Sequence, residues 1–391
     1  VFMFYGLGFA AIFSMPIQAA DLSLSGHLKA FEMAGDATEL SGVSESAWAT
    51  TVFAGRLAGS GRFGEHVRVE LHPALVVGQK LGSGWLSSGV GREAPEAVDL
   101  SIKEDSEDWT LTARVDWASV QVDVDGFRAI VGRQAISHGQ GKLFTPLDLV
   151  TPYSPTTLDS EFKPGVDALR AEVFLGESFR LDMTAAHLGG WGLDGSGLVG
   201  MATATLGSTD LSLYGASLYG DPVAGVSFFA PVAALGVYGD LGVTFEDDSQ
   251  FRAVLGVDVR PTPTTGLSAE IYHQTFGLDD SADGLRLLDM ERYQRGELWL
   301  IGHNYAGLTV AQELAPLWML SGMVITNISD PSGLASVTLG WSTTENISLD
   351  LGIIKGLGEP PDASAIFPDL GVRSEFGLVP WTGTFAARFY F

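Results

Sequence analysis

Hydrophobic and polar residues alternate along most of this chain. Leu169, Ala171 and Val173 fall on one side of an extended backbone, and Ala168, Arg170 and Glu172 on the other, because successive strand side chains point to opposite faces. The next run repeats the pattern, with Phe179, Leu181, Met183 and Ala185 against Arg180, Asp182, Thr184 and Ala186. An unbroken apolar face opposite a charged one suits a half-buried soluble sheet or the wall of a transmembrane barrel.

Taken in order, the alternation predicts a strand at Leu22–Phe31 and another at Ala47–Ala58, ending in a tight turn at Gly59–Gly61. A third strand puts Val67, Val69 and Leu71 opposite His66, Arg68, Glu70 and His72. From about Gly78 to Asp108 runs a long loop whose stretch REAPEAVDLSIKEDSED is acidic and poor in aromatics, which reads as mobile and solvated. Trp109–Val124 changes phase: Leu111, Ala113, Val115 and Trp117 share a face, then Val120, Val122 and Val124 do. A β-bulge near Ala118 and Ser119 accounts for the shift. Asp125-Gly126 is a hairpin signal. Phe127–Phe174 then reads as a strand, a long proline-punctuated loop and a returning strand. Further strands follow at 179–187, 198–206, 211–219, 223–230, 235–245, 251–260, 267–276, 302–314, 317–328, 334–342, 347–355 and 382–391.

Loop lengths separate the two sheet readings. Short turns (Gly59–Gly64, Asp125-Gly126, Gly176–Ser178, Gly207–Thr209, Thr343–Asn346) alternate with nearly all the long loops. Such sorting onto two rims is the asymmetry of outer-membrane barrels, and a soluble sandwich has no reason for it. In the last run, TGTFAARFYF, Phe385, Ala387, Phe389 and Phe391 share a face. An apolar terminal strand ending on an aromatic residue resembles the signal read by the barrel-assembly machinery, whereas on a soluble edge it would be a pairing hazard. The expected fold is therefore all-β: a transmembrane antiparallel up-and-down barrel of about eighteen strands, roughly 16–18, with an internal loop.

Composition narrows the setting. The chain has 391 residues, no cysteine, 49 glycines and a net charge of -25. An absence of thiols fits an oxidising compartment, and the acidic balance excludes a nucleic-acid surface. Residues 1–20 read as a signal peptide with a small-residue cleavage site at Ala19 or Ala20, truncated at its start because Val1 is followed by no positively charged segment. The other reading of that run is a buried N-terminal element. Residues 21–391 then form one outer-membrane barrel domain, in contact with outer-membrane lipid and lipopolysaccharide.

Two stretches carry a family resemblance. GRQAISHGQGKLFTPLDLVTPYSPTTLDSEFKPGVDALR and HNYAGLTVAQELAPLWMLSGMVITNISDPSGLASVTLGWSTTENISLDLG resemble porin-like outer-membrane proteins related to the alginate-export barrels. The resemblance implies a barrel of about eighteen strands with an internal loop, acting as a pore or exporter. His138 stands where that pattern has an aromatic residue.

If the apolar face meets lipid, the other face is a lumen. It then presents Arg56, Arg68, Glu70, Arg114, Asp116, Arg170, Glu172, Arg180, Asp182, Arg252, Asp258, Glu270 and Arg388. These form either a ladder of cross-strand ion pairs or an electropositive track for an anionic solute. The loop from Ser137 to Lys163 is too apolar for solvent. It is expected to pack inside the barrel as a constriction, with His138, Phe144, Asp148, Tyr153 and Lys163 as its working residues, or else to lie as a lid across the rim. The histidines show no metal-ligand spacing, the HGQG stretch is not a phosphate loop, and no cofactor is expected. The function expected is a non-enzymatic channel or export pore for small anionic or sugar-like solutes. The alternatives are a barrel-borne surface hydrolase and an adhesin.

Overall fold

Each strand of the wall pairs antiparallel with the next in the chain, and the last pairs with the first. A computed structural model describes residues 21–40, 43–44, 47–81, 94–152, 159, 161–246, 249–280, 284, 290–365 and 371–391. The expected signal peptide and Tyr153 lie outside them. Among the described residues the main sheet has nineteen strands, eighteen of them forming the closed wall. These are β1 (Asp21–Gly35), β2 (Trp48–Phe63), β3 (Val67–Leu81), β4 (Trp109–Val124), β5 (Phe127–Gln134), β6 (Val166–Leu175), β7 (Phe179–His187), β8 (Ser196–Leu206) and β9 (Thr209–Leu218). The second half is β10 (Asp221–Val232), β11 (Leu235–Thr244), β12 (Gln250–Thr262), β13 (Thr265–Gln274), β14 (Asn304–Ala315), β15 (Trp318–Asn327), β16 (Ser332–Thr344), β17 (Ile347–Leu357) and β18 (Thr382–Tyr390).

The outward face is apolar all round. Leu28, Phe53, Leu169, Met183, Leu213, Leu255, Ile271, Leu308, Val337 and Leu351 are all exposed there, which only a hydrocarbon surround rewards. Aromatic side chains mark the rims: Trp318 stacks on Trp341, and Phe389 lies against Phe391. The seam is closed by β1 and β18, from His27 opposite Tyr390 to Gly35 opposite Thr382. At its end Gly26 and Phe391 exchange backbone hydrogen bonds. A Cβ on Gly26 would lie 2.8 Å from the Arg56 carbonyl oxygen as well as 2.6 Å from the Phe391 ring, so that position favours glycine.

Turns after β2, β4, β6, β8, β10, β12, β14 and β16 are all short and share one rim, while the opposite rim carries the long loops. Two connections break the sorting on the long-loop rim: the four-residue turn 328–331 between β15 and β16, and Tyr219-Gly220, a tight turn with φ of 55° and 91°.

Several local expectations are corrected. Gly59–Gly61 is not a turn; it stays in β2, with Gly59 opposite Leu71 and Gly61 opposite Val69. The chain turns at Gly64, which supplies the positive φ of 66°. The bulge in β4 is at Asp116 and not at Ala118: His72 faces Trp117 while Pro73 faces Val115, leaving Asp116 extra. Both Asp116 and Trp117 therefore face inward, and Trp117 stacks on His72 at 4.9 Å instead of meeting lipid. The acidic segment after β3 is also more ordered than its composition suggests. Ser101–Asp105 pairs with the upper half of β4, which β5 leaves uncovered because its chain departs into the lumen after Gln134. Exposed β4 backbone groups have to be paired, and this short strand pairs them.

Candidate functional site

Between β5 and β6 the chain leaves the wall, and the described residues 135–152, 159 and 161–165 lie in the lumen. Its apolar residues find partners there: Phe144 is 1% exposed and Leu147 is fully buried. Glycines in the wall make the seats. Gly225 and Gly242 face each other across β10 and β11, and the Leu147 side chain lies 2.7 and 3.1 Å from where their Cβ atoms would be. Phe144 stacks on Tyr272 at 4.9 Å and on Trp299 at 5.9 Å.

Wall carboxylates grip the loop's backbone. Asp240 on β11 accepts the N–H groups of Gln140 and Gly141, at 2.9 and 2.8 Å. Glu270 on β13 accepts those of Lys142, Leu143 and Phe144, at 2.8, 3.1 and 2.9 Å. Asp258 on β12 receives Lys142 Nζ at 2.9 Å. One face of the lumen is thus acidic and occupied by main-chain donors.

Within the loop, Lys163 Nζ donates to Asp148 at 2.5 Å, to the Ile136 carbonyl and to Ser137 Oγ at 2.8 Å. Burial pushes the Asp148 carboxyl up and the Lys163 ammonium down, and their contact satisfies both. His138 lies edge-on to Tyr214 at 5.5 Å. Burial lowers its pKa to about 4, so an uncharged ring fills the place where the family pattern has an aromatic residue.

The far end of the loop crosses to the opposite wall. In an eighteen-strand barrel β2–β4 stand nine strands from β11–β13, directly across the lumen. There Arg388 on β18 faces Lys29 on β1, His27 on β1 faces Arg56 on β2, and Ala74 on β3 lies opposite both Arg56 and Arg114 on β4. A row of four cations therefore spans five adjacent strands. Asp116 takes both Arg56 and Arg114, and Asp350 takes Arg388. Lys29 is met by the loop: its Nζ lies 2.9 Å from Asp159 and 2.6 Å from Glu161. Phe162 stacks on His27 at 5.1 Å, with the Arg56 guanidinium 4.4 Å from its ring centre. Tyr390 Oη donates to Glu161 at 3.0 Å. The described residues of the loop thus touch both sides of the lumen, 140–147 on one and 159, 161 and 162 on the other.

The other lumen charges expected from sequence fall into separate groups. Arg170 on β6 binds Asp182 and Glu172, and Arg128 also reaches Glu172 at 3.3 Å. Arg180 does not join Arg170: it sits opposite Phe174, while Arg170 sits opposite Thr184, four residues along the strand. Arg68 pairs with Glu70 at 2.8 Å along β3. Arg252 is 2% exposed, donates to Thr244 at 3.0 Å and lies 3.7 Å from Glu297.

Sequence reading missed Lys29 and Asp240, although both stand on inward positions of alternating strands. It also missed a second inward segment before β18. Val372, Phe376, Leu378 and Val379 are buried there, and Phe376 and Val379 join the cluster around Phe144. Glu375 accepts from the Ile301 N–H, Tyr305 Oη and Asn327 Nδ2 at 2.9, 2.7 and 2.7 Å. Burial raises its carboxyl above the usual range. The signal was an apolar run, GVRSEFGLV, inside a proline-bearing loop.

No family model matches the chain, and no curated protein matches it in sequence. Solved structures do match. Pseudomonas aeruginosa OccK5 (OpdH) superposes with a TM-score of 0.56 at 8% identity, covering 94% of this chain and 98% of that one. Acinetobacter baumannii OccAB4 gives 0.58 at 6% identity over 96% and 98%. Pseudomonas aeruginosa OpdK, solved with vanillate, gives 0.55 at 11% identity over 94% and 98%. The likeness is one of fold. It covers nearly the full length of both chains.

Proposed function

We propose that this protein is an outer-membrane channel for small anionic solutes, carboxylates or anionic sugars. The observation that carries the reading is the row Arg388, Lys29, Arg56 and Arg114, four cations to which the wall itself supplies two carboxylates, Asp116 and Asp350, the other two, Asp159 and Glu161, coming from the loop. Many of the carboxylates behind the net charge of -25 lie in loops, where salt screens them over about 8 Å. Charges inside a narrow lumen face little competing water and dominate permeation.

Support comes from the outer-membrane porins that share the fold. OpdK's vanillate is an aromatic carboxylate, a solute of the charge that this row would attract. Within this reading the other arginines divide by role. Arg170 with Asp182 and Glu172, and Arg252 with Glu297, tie the wall. Arg68, Glu70 and Arg180 line the vestibule near the short-turn rim. Asp258 and Glu270, with Phe144, Asp148, Lys163 and His138, fix the constriction.

Reversal potentials across a planar bilayer under a salt gradient test the proposal. The wild-type pore is expected to favour anions, and Arg56→Ala with Arg388→Ala to move it toward cations. A cation-selective wild type, unchanged by that pair, would leave the row as wall ties only. A barrel-borne hydrolase or an adhesin has no need of the row, and absence of conductance in the same recording would favour them.

A further inference from the structure

Two charged side chains stand on the lipid face of the wall. Glu32 on β1 is exposed there, between Phe31 and Met33, which are buried facing the lumen. Lys355 on β17 points the same way, between the outward Ile353 and Leu357, and its ammonium lies 5.7 Å from the centre of the Trp381 ring. Among the described residues neither has a hydrogen-bonded or ion-paired partner. Glu32 is opposite Phe385, four residues from Trp381, whose exposed ring marks the interface. At about 3.3 Å per residue on strands tilted about 40°, that is roughly 10 Å inside the hydrocarbon. A carboxylate at that depth is costly unless a partner meets it.

The two charges are placed symmetrically about Gly383. Ala34, Gly383 and Ile353 form one ladder row across β1, β18 and β17. Glu32 lies two residues from that row toward the short-turn rim, and Lys355 two residues from it toward the long-loop rim. With strands about 4.8 Å apart, their Cα atoms stand roughly 16 Å from each other, beyond the joint reach of the two side chains. Their depths still agree within about 5 Å, because the rows of a tilted barrel climb from strand to strand. Ile347, at the start of β17, is thus joined through Phe389 to Leu28, well inside β1. A groove of about 740 Å³ opens beside Gly383, lined also by Ala34, Ala49, Ile353, Trp381 and Thr382.

We propose that a second copy of this chain docks on this face, with Glu32 of each copy paired to Lys355 of the other. A two-fold axis along the membrane normal preserves depth and exchanges left for right. Passing at Gly383, it brings each carboxylate to the other copy's ammonium. Gly383 at the axis, with Ala34 and Ala49 beside it, lets the two walls approach closely, as small residues do in bilayers. A lipid phosphate can reach Lys355 near Trp381, but no headgroup cation reaches the depth of Glu32. A lipid therefore satisfies one charge and a second copy satisfies both. The contact lies outside the wall and holds for any solute that the lumen passes.

The test is the oligomeric state of the full chain in lipid vesicles. The chain has no cysteine, and a Cβ at Gly383 has its nearest neighbour 4.0 Å away, so Gly383→Cys places one reporter on the axis. A short thiol-to-thiol cross-linker should join two copies through it. In that background Glu32→Lys alone, or Lys355→Glu alone, should lower the cross-linked fraction more than about tenfold at limiting protein, since like charges then meet. The two reversals together should restore it. Folding of each variant is checked by its heat-modifiable mobility in SDS. A folded Gly383→Cys protein that stays monomeric, or cross-linking that survives each single reversal, would overturn the proposal. Lys355→Glu that loses bound lipopolysaccharide while its cross-linking is unchanged would also overturn it, and would assign Lys355 to lipid phosphate.

Discussion

On the β11–β13 wall the loop is gripped through its main chain, whereas on the β18–β4 wall it is held through side chains. Asp240 and Glu270 saturate the N–H groups of residues 140–144. A passing anion offers no replacement for a carboxylate that is already fixed to the wall. Lys29 and Arg56 meet Asp159, Glu161 and Phe162, groups whose chemistry a small solute can reproduce. The first wall binds the loop's amides and the second its charged and aromatic side chains.

The comparison breaks most visibly at the anchor. Charge-assisted hydrogen bonds contribute about 1.5–3 kcal/mol each, and Asp240→Ala with Glu270→Ala removes five of them, so the docked loop should lose about 7 kcal/mol or more. Single-channel conductance should rise while the heat-modifiable barrel persists. Unchanged conductance would show that Leu147 and Phe144 seat the loop without the carboxylates.

Acid should act on the other wall. Burial opposes ionisation of Glu161, but the hydrogen bond and charge of Lys29 outweigh it and hold the carboxyl below its usual range. A carboxylate with a depressed folded pKa contributes its stabilisation above the unfolded pKa and loses it as pH falls through the folded one. The Lys29 contact should therefore hold at pH 5 and loosen below the ordinary carboxylate range. Conductance measured stepwise from pH 5 downward checks this, and a loosening already complete at pH 5 would contradict it.

The smallest effect is expected from Lys142. Its side chain is half exposed where it meets Asp258, and such pairs contribute only about 0–1 kcal/mol. Lys142→Met should leave unfolding in urea and conductance nearly unchanged. A loss matching that of the Asp240 and Glu270 pair would mean that the acidic wall also works through side chains.

Period-two alternation made the wall legible, because lipid outside and polar groups inside impose it on every strand. Bulges and turns were harder to read. Asp116 shifts the phase of β4 two residues before the pattern shows it, since Trp117 is apolar and still faces inward. Gly59–Gly61 has turn composition, yet its ladder partners on β3 keep it extended. Among the described inward segments only one was recognised. The Ser137–Lys163 loop announced itself by its apolar centre, while the segment around Glu375 is short and needs Tyr305 and Asn327, remote in sequence, to bury its carboxylate. The loop's attachment points were invisible for the same reason. Nothing local marks Asp240 as the acceptor of amides a hundred residues away.

The ladder between β1 and β18 has a consequence for assembly. Other neighbours in the wall are consecutive strands, joined by a turn or a loop, whereas this ladder brings His27 beside Tyr390. Contacts so distant in sequence carry the largest loop-closure cost and form late. Until Phe391 settles over Gly26, the growing sheet has two unpaired margins facing a solvent that cannot satisfy them. The β1–β18 ladder is therefore the last to close, and until it forms neither margin of the sheet is satisfied.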